Sequence, residues 1–509
     1  MSPTIIDDTV KNILTSRVYD VAVISPLEKA RKLSQELGCN VYLKREDLQP
    51  VHSFKVRGAY NKIVQLSEAD KTKGVIAASA GNHAQGVALA AKKLGLSSLI
   101  IMPLTTPAIK VEAVKSYGAE VELFGDSYSD AAEYCKKRVE ETGRTYIHPF
   151  DDPLVIAGQG TIGREIIDQL PFATHVFVPV GGGGLIAGIA SYIKTLRPDI
   201  KVISVEPEDS DAMKASITKR ERITLPSVGI FADGVAVKQV GVNTYATALD
   251  KVDDFITVTT DQICAAIKRI FEDTRSIVEP AGALGVAGIA SYDLPSDAYA
   301  VAICSGANMA FESLQQIAER TLLGSGREAM FEVAIPEVPG ALLKFCQTVI
   351  SKHNITEFSY RLNNRDHAHI LVGVSVSGAK DKKKFMDKMC EHEYDFTDMS
   401  EDDITKSHVR HMIGGPSKNI KSELIYEITF PERPGALGEF LQAIGGKWNV
   451  SLFHYRSTAS DYGSVLVAFE CSQSEKQDLD KALRSSSLNC KNIDNVPSVE
   501  IFLGAESLT

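Results

Sequence analysis

Four short stretches of this 509-residue chain hold groups suited to making and breaking bonds. The first is Ser53-Phe54-Lys55, inside the run Lys44 to Ala59. A lysine set among an aromatic ring, a hydroxyl and short apolar and glycine neighbours can be held out of water. Desolvation lowers its pKa, and the neutral amine can condense with an aldehyde. Standing alone, such a lysine is an ordinary solvated residue at a helix start. The second stretch is Ser79-Ala80-Gly81-Asn82-His83-Ala84. It follows an apolar run and opens a helical pattern, so its backbone N–H groups could bind an anion such as a substrate carboxylate. A plain helix cap would read the same way.

The third stretch is Gly181-Gly182-Gly183-Gly184-Leu185, where backbone free of side chains can wrap a phosphate. A dinucleotide reading competes. Gly182, Gly184 and Ala187 fit G-x-G-x-x-A, and Glu206 follows near the spacing of a ribose-binding acid. Four consecutive glycines suit one compact phosphate better than a pyrophosphate, and a nicotinamide enzyme leaves the lysine and Asn82 loops unexplained. The fourth stretch is Ser305-Gly306-Ala307-Asn308. The Ser305 hydroxyl could meet a heterocycle nitrogen without bringing a charge; read alone, it is a turn serine. No metal site is convincing. His367 and His369 fall on one strand face and His408 and His411 have helical spacing, but neither pair has a carboxylate or thiolate set beside it.

The elements that must position these loops alternate strand and helix. Val41 to Lys44 reads as a strand and Phe54 to Gln65 as a helix. Val75 to Ala78 precedes a helix from about Asn82 to Leu94. Leu99 to Met102 precedes one ending near Gly118, Glu120 to Phe124 a third, and His175 to Val180 a fourth. Tyr299 to Cys304 runs straight into Ser305. This rhythm predicts βαβ units and parallel sheet, with ligands at the strand C-ends. Upstream, Ser25-Pro26-Leu27-Glu28 has the pattern of a capping box, which predicts a helix from there to Gly38.

After Gly326 the chain repeats itself. Phe331 to Arg361 and Tyr426 to Arg456 align without a gap, and 14 of 31 positions are identical, which marks a duplication. Each copy reads strand, helix, strand, strand, helix, strand, the ferredoxin-like order, with last strands ending at about Met399 and Leu503. The segment His408 to Lys421 connects them. The predicted class is α/β: two open, twisted, mostly parallel sheets with flanking helices, plus two ferredoxin-like α+β domains. The expected bounds are residues 1–325 for the first part, with a small subdomain inserted at about 55–150, then 330–405 and 423–509.

A net charge of -10 and a pI near 5.7 argue against nucleic-acid or anionic-membrane partners. Eight scattered cysteines without a C-x-x-C pair suit a reducing compartment. The first residues show neither an apolar leader core nor an Arg-rich transit pattern, so a cytoplasmic location is expected; a processed organellar form would read the same way.

With the lysine, the Asn82 loop, the glycine tetrad and Ser305 in this order, the chain resembles the pyridoxal-phosphate enzymes of the tryptophan-synthase β-type fold. Within them it is similar to the biosynthetic threonine dehydratases. The resemblance runs from about Val18 to Leu503, and the duplicated region is similar to their paired ACT-like regulatory domains. It implies that Lys55 links covalently to the cofactor, that Phe54 packs near the ring and that Asn82 bonds the ring's 3-oxygen. Gly181, Gly182, Gly183 and Gly184 with Leu185 would hold the phosphate, and Ser305 would face the pyridine nitrogen. Ser79, Gly81 and His83 would line the substrate carboxylate site.

The implied reaction removes water from L-threonine and yields 2-oxobutanoate and ammonia, the first committed step toward isoleucine. Lys55 would take the Cα proton while the cofactor accepts electrons. A neutral Ser305 would leave that electron sink weak and favour prompt loss of the β-substituent. Serine racemases of this fold carry a second serine where Ala80 stands here, and alanine cannot move a proton, which favours dehydration. Serine dehydration, β-replacement and a catalytically inert amino-acid sensor are the alternatives. Isoleucine as inhibitor, valine as activator and a homotetramer are further implications. The matched pairs Tyr360-Arg361 and Tyr455-Arg456 are expected to contact effector, or else to pack at a strand end.

Overall fold

In the computed structural model the described residues are 8–496, apart from 126, 230, 312, 325, 351–352, 362–366, 403–404, 406–419, 421, 432–434, 445–446, 457–461 and 487. They divide into two units, residues 1–321 and 322–509. The first unit holds two sheets. One is formed by β1 (Leu27–Lys29), β2 (Asn40–Arg45), β7 (His175–Pro179), β8 (Lys201–Pro207), β9 (Asp254–Val258) and β10 (Tyr299–Cys304), in the order β1-β2-β10-β7-β8-β9. The other is formed by β3 (Val75–Ala78), β4 (Ser98–Met102), β5 (Glu120–Leu123) and β6 (Thr145–Tyr146), in the order β5-β4-β3-β6. Every pairing is parallel except β1 with β2. β3, β4 and β7 are buried along their whole length, which is why they read as continuous apolar runs.

Parallel register gathers the loops. β10 runs beside β2, with Cys304 opposite Arg45, so the chain leaving toward Lys55 and the chain leaving toward Ser305 start from neighbouring strand ends. β7 flanks β10 on its other side and delivers the glycine tetrad to the same rim. The helices around Lys55 pack at backbone distance. A Cβ on Gly158, in helix Pro153–Gln169, would meet the Gly58 Cα of helix Lys55–Val64 at 2.7 Å. A Cβ on Gly86, in helix Asn82–Leu94, would lie 3.1 Å from the Lys55 carbonyl carbon.

Beneath helix Lys55–Val64 lies a buried ion network. Arg57 donates to Glu46 at 2.8 Å and to Glu165 at 2.6 Å, and Lys44 donates to Glu165 at 2.6 Å. All four side chains are essentially inaccessible. Two cations and two anions balance there, and the remaining donors of Arg57 reach Thr161 and the Val23 carbonyl. Burial of this kind is tolerable only when every charge is met.

The Ser25 capping box starts no helix. Leu27–Lys29 is the strand β1, paired antiparallel with β2, and the helix is Arg31–Leu37. Ser25 donates instead to Glu46 at 2.5 Å, and Glu28 accepts from Arg45 at 2.6 Å, so both ends of the expected box are engaged in tertiary contacts. Gly38 does close that helix, in the left-handed region at φ 70.

In the second unit the first copy supplies β11 (Glu328–Pro336), β12 (Ile355–Arg361), β13 (His367–Ser375) and β14 (Asp395–Asp398). The second supplies β15 (Glu423–Pro431), β16 (Val450–Arg456), β17 (Tyr462–Glu470) and β18 (Asn489–Asn492). One antiparallel sheet runs β14-β11-β13-β12-β16-β17-β15-β18. Each copy thus has the ferredoxin-like order 4-1-3-2. The copies join edge to edge, with Glu357 opposite Arg456 and Arg361 opposite Leu452. The described last strand of the second copy ends at Asn492; Leu503 and most of His408 to Lys421 lie outside the described residues.

Candidate active site

The loops after β3, β7 and β10 and the start of the Lys55 helix line one cavity of about 710 Å³. Lys55 enters it from the first position of its helix, partly buried, with Nζ 3.2 Å from the Pro149 carbonyl and 5.3 Å from the Phe54 ring centroid. Loss of hydration holds its pKa down at about 8, although Glu279 pulls the other way. The lysine loop is stitched to the Ser305 loop. Phe54 N–H donates to the Ser305 carbonyl at 3.2 Å, Ala307 N–H donates to the His52 carbonyl at 2.9 Å, and Ser53 forms a β-bridge with Gly306.

The tetrad is closed in by its neighbours. A Cβ on Gly182 would meet the Phe150 ring at 2.2 Å, and one on Gly181 would meet the Val235 backbone at 2.8 Å. Gly183 sits at φ 95, and helix Gly184–Leu196 begins immediately after it. A helix N-terminus with no side chain in the way is suited to a phosphate. The dinucleotide reading fails at Glu206. That carboxylate is buried and accepts the backbone N–H groups of Met213 and Lys214, each at 2.8 Å, so it caps helix Ala212–Lys219 instead of facing a ribose. Burial raises its pKa to about 8.

Asn82 opens helix Asn82–Leu94 and lines the cavity with Ser79, Gly81 and His83. His83 is buried, and its Nε2 lies 2.8 Å from the Ile147 carbonyl. A carbonyl only accepts, so Nε2 carries the proton and Nδ1 carries a lone pair, which has no hydrogen-bond partner. Burial, helped by Lys55, lowers the His83 pKa to about 3. Ser305 is buried, and its hydroxyl donates to the Ala281 carbonyl at 3.3 Å.

Several cavity residues escaped the sequence reading. Glu279, at the cap of helix Pro280–Ala290, is buried and accepts from Asn82 Nδ2 at 2.7 Å and from the Asn308 backbone N–H at 3.0 Å. Burial, followed by the charge of Asp233, lifts its pKa to about 7. Lys110 and Asp233, both in the cavity wall, form an ion pair at 2.5 Å. The pair Glu279-Pro280 does announce a helix start, but nothing in sequence ties it to Asn82, 197 residues away.

A glycine cradle without space for a Cβ, a lysine held near neutrality and an unpartnered buried imidazole nitrogen fit pyridoxal phosphate and an amino-acid substrate. A family model for "Pyridoxal-phosphate dependent enzyme" matches residues 20–306, and one for the "C-terminal regulatory domain of Threonine dehydratase" matches residues 319–409 and 414–503. The biosynthetic L-threonine dehydratase IlvA of Burkholderia multivorans is 46% identical over 503 residues, spanning 97% of this chain and 99% of that protein. The chain belongs to the threonine dehydratase family. The mitochondrial threonine dehydratase of Saccharomyces cerevisiae is 46% identical over 94% of this chain and 86% of its own length. Among solved structures, the processed form of threonine deaminase isoform 2 from Solanum lycopersicum aligns with a TM-score of 0.61 at 48% identity, covering 62% of this chain and 88% of that one. Maize serine racemase aligns at 0.58 and 34%, covering 62% and 97%.

In the regulatory region of this threonine dehydratase family member, the two repeated tyrosines have unequal surroundings. Tyr455 lines a cavity of about 250 Å³ with His353, Asn354 and the start of helix Ala436–Ile444. Tyr360 lines one of about 40 Å³, where Trp448 stands at the position matching His353 and the Tyr360 hydroxyl donates to Glu337. Arg361 lines neither cavity; its guanidinium makes two bonds to Glu423, at 2.8 and 2.9 Å. The Arg456 side chain lies outside the described residues.

Proposed function

We propose that this threonine dehydratase deaminates L-threonine to 2-oxobutanoate and ammonia, with pyridoxal phosphate held in the four-loop cavity. Convergence of those loops on a desolvated lysine is the observation that carries the reading. When bound, the cofactor supplies the electron sink for bond breaking at the substrate Cα. Lys55 would be the residue that holds it, and the Lys55 amine would take the substrate Cα proton. A pKa of about 8 keeps a useful fraction of that amine neutral near physiological pH. Gly181 to Gly184 with Leu185 would bind the phosphate, Phe54 would pack beside the ring, Asn82 would donate to the 3-oxygen and Ser305 would meet the ring nitrogen. Ser79, Gly81 and His83 would line the substrate carboxylate site, with the backbone N–H groups at the start of helix Asn82–Leu94 as the donors. Ala80 offers no group to return a proton on the opposite face, which favours elimination over racemisation.

The test is steady-state production of 2-oxobutanoate from threonine, beside serine and O-acetylserine as competing substrates. A clear preference for O-acetylserine, or borohydride fixing the cofactor on a lysine other than Lys55, would overturn the assignment.

Residues 1–325 act as the catalytic part, with 55–150 as its small subdomain, and 330–405 and 423–509 as regulatory domains. The larger cavity at Tyr455 holds the effector, isoleucine as inhibitor and valine as activator, in a cytoplasmic homotetramer. The acidic chain and eight free cysteines support the location; no described helix is long and apolar enough to cross a membrane. Tyr455→Ala is expected to abolish inhibition by isoleucine; inhibition surviving in that variant while lost in Tyr360→Ala would move the effector to the smaller cavity.

A further inference from the structure

A primary amide can sit either way round, and the side chain of Asn82 is useful to an anionic oxygen only with nitrogen presented to it. The structure contains a chain of contacts that decides between the two. It starts at the Val51 carbonyl, which can only accept, and which receives Asn308 Nδ2 at 2.7 Å. That fixes Asn308 with nitrogen toward Asn82, where the same Nδ2 donates to Asn82 Oδ1 at 2.7 Å. Asn82 Nδ2 must then face Glu279, to whose Oε1 it donates at 2.7 Å. The other oxygen of Glu279 accepts the Asn308 backbone N–H at 3.0 Å, which closes the ring of contacts. Turning the Asn82 amide over would set its oxygen against the carboxylate and its nitrogen against the Asn308 nitrogen, two repulsive contacts in place of two attractive ones. An amide nitrogen carries two hydrogens, so one N–H remains for the cavity that Asn82 lines.

We propose that Glu279 is a positioning residue for the cofactor: with Asn308 it locks the Asn82 amide so that N–H, and never the amide oxygen, is presented to the ring's 3-oxygen. The proposal rests on the assignment of Asn82 made above. The lock also spans the two sheets. Asn82 begins a helix that follows β3 of the four-stranded sheet, whereas Asn308 follows β10 of the six-stranded one. Glu279 is tied to the Asn308 loop a second time, since its own N–H donates to the Gly306 carbonyl at 3.1 Å. Space around it is tight, because a Cβ on Gly306 would come within 2.6 Å of its Oε1.

Glu279→Gln tests the lock. A glutamine of the same size must turn its NH₂ toward either Asn82 or the Asn308 N–H, so one of the two contacts becomes donor against donor. Cofactor-stripped protein is titrated with pyridoxal phosphate, following the visible absorption band, for wild type, Glu279→Gln, Asn82→Ala and the double variant. Loss of one charge-assisted hydrogen bond is expected to raise the cofactor Kd about tenfold in Glu279→Gln and to shift the band. In the Asn82→Ala background the same substitution is expected to do nothing further, because its effect runs through Asn82. Additive effects in the double variant, or a lowered melting temperature with Kd and band unchanged, would overturn the proposal. An Asn82→Ala variant with wild-type Kd and band would instead remove the assignment of Asn82 on which it rests. Should Glu279→Gln fail to fold, Asn308→Ala takes its place in the cycle, since it removes the donor to Asn82 Oδ1 and carries the same expectation.

Discussion

A methyl group added at Gly182, in a buried turn, would stand 2.2 Å from the half-buried Phe150 ring. Gly182→Ala is therefore expected to weaken pyridoxal phosphate by about tenfold or more, the scale of a core overpacked by one methyl. Phe150→Leu in the same chain should restore part of the affinity; cofactor titration checks both, and wild-type affinity in Gly182→Ala would remove the cradle from the account. His83 gives a pH signature. Its pKa is about 3 in the fold and near 6.5 when unfolded, so between those values only the unfolded chain takes up the proton. Its contribution to stability is intact above pH 6.5 and declines as pH falls from 6.5 toward 3. His83→Gln should flatten that part of the profile, seen as a smaller drop in melting temperature between pH 7 and pH 5 than in wild type. The cavity residues legible in sequence, Lys55, the tetrad and Ser305, are those in loops of unusual local composition. Glu279 was not legible, because its partner is 197 positions away and only folding brings them together.

The helix that carries Lys55 is held from below by four buried charges. Arg57→Met would leave Glu46 and Glu165 facing Lys44 alone, one negative charge in excess where water cannot reach. Removal of one member of such a set costs about 3–5 kcal/mol. A large fall in melting temperature and in soluble yield is the expected result; a variant as stable as wild type would mean that the network relaxes or admits water. The same cluster explains the misread helix at Ser25. Local signals there describe a helix start, but Ser25 is taken by Glu46 and Glu28 by Arg45, and the chain between them becomes an edge strand. Elsewhere strand, loop and helix were readable, since runs buried on both faces, such as Leu99 to Met102, leave an unbroken apolar signature.

The division of the chain at residue 321 lies close to the change from the pyridoxal-phosphate enzyme match, residues 20–306, to the regulatory-domain match, which begins at 319. A chain ending at Gly326 is expected to keep pyridoxal phosphate and threonine turnover and to lose its response to isoleucine. Retained inhibition, measured as 2-oxobutanoate formation across an isoleucine titration, would place the effector in the catalytic unit instead. The duplication was plain from 14 identities in 31 aligned positions, but the way the copies meet was not, because edge pairing leaves no mark on one strand's sequence. That pairing, β12 against β16, has a further consequence. Two separate modules meeting through the same edge would form a homodimer, whose two clefts must always be alike and whose assembly depends on concentration. Covalent fusion makes the encounter intramolecular, so it no longer depends on how much protein the cell holds. It also releases each half to evolve alone. Histidine at 353 and tryptophan at 448, one cleft open and the other nearly filled, are a difference that a symmetric pair could never have acquired.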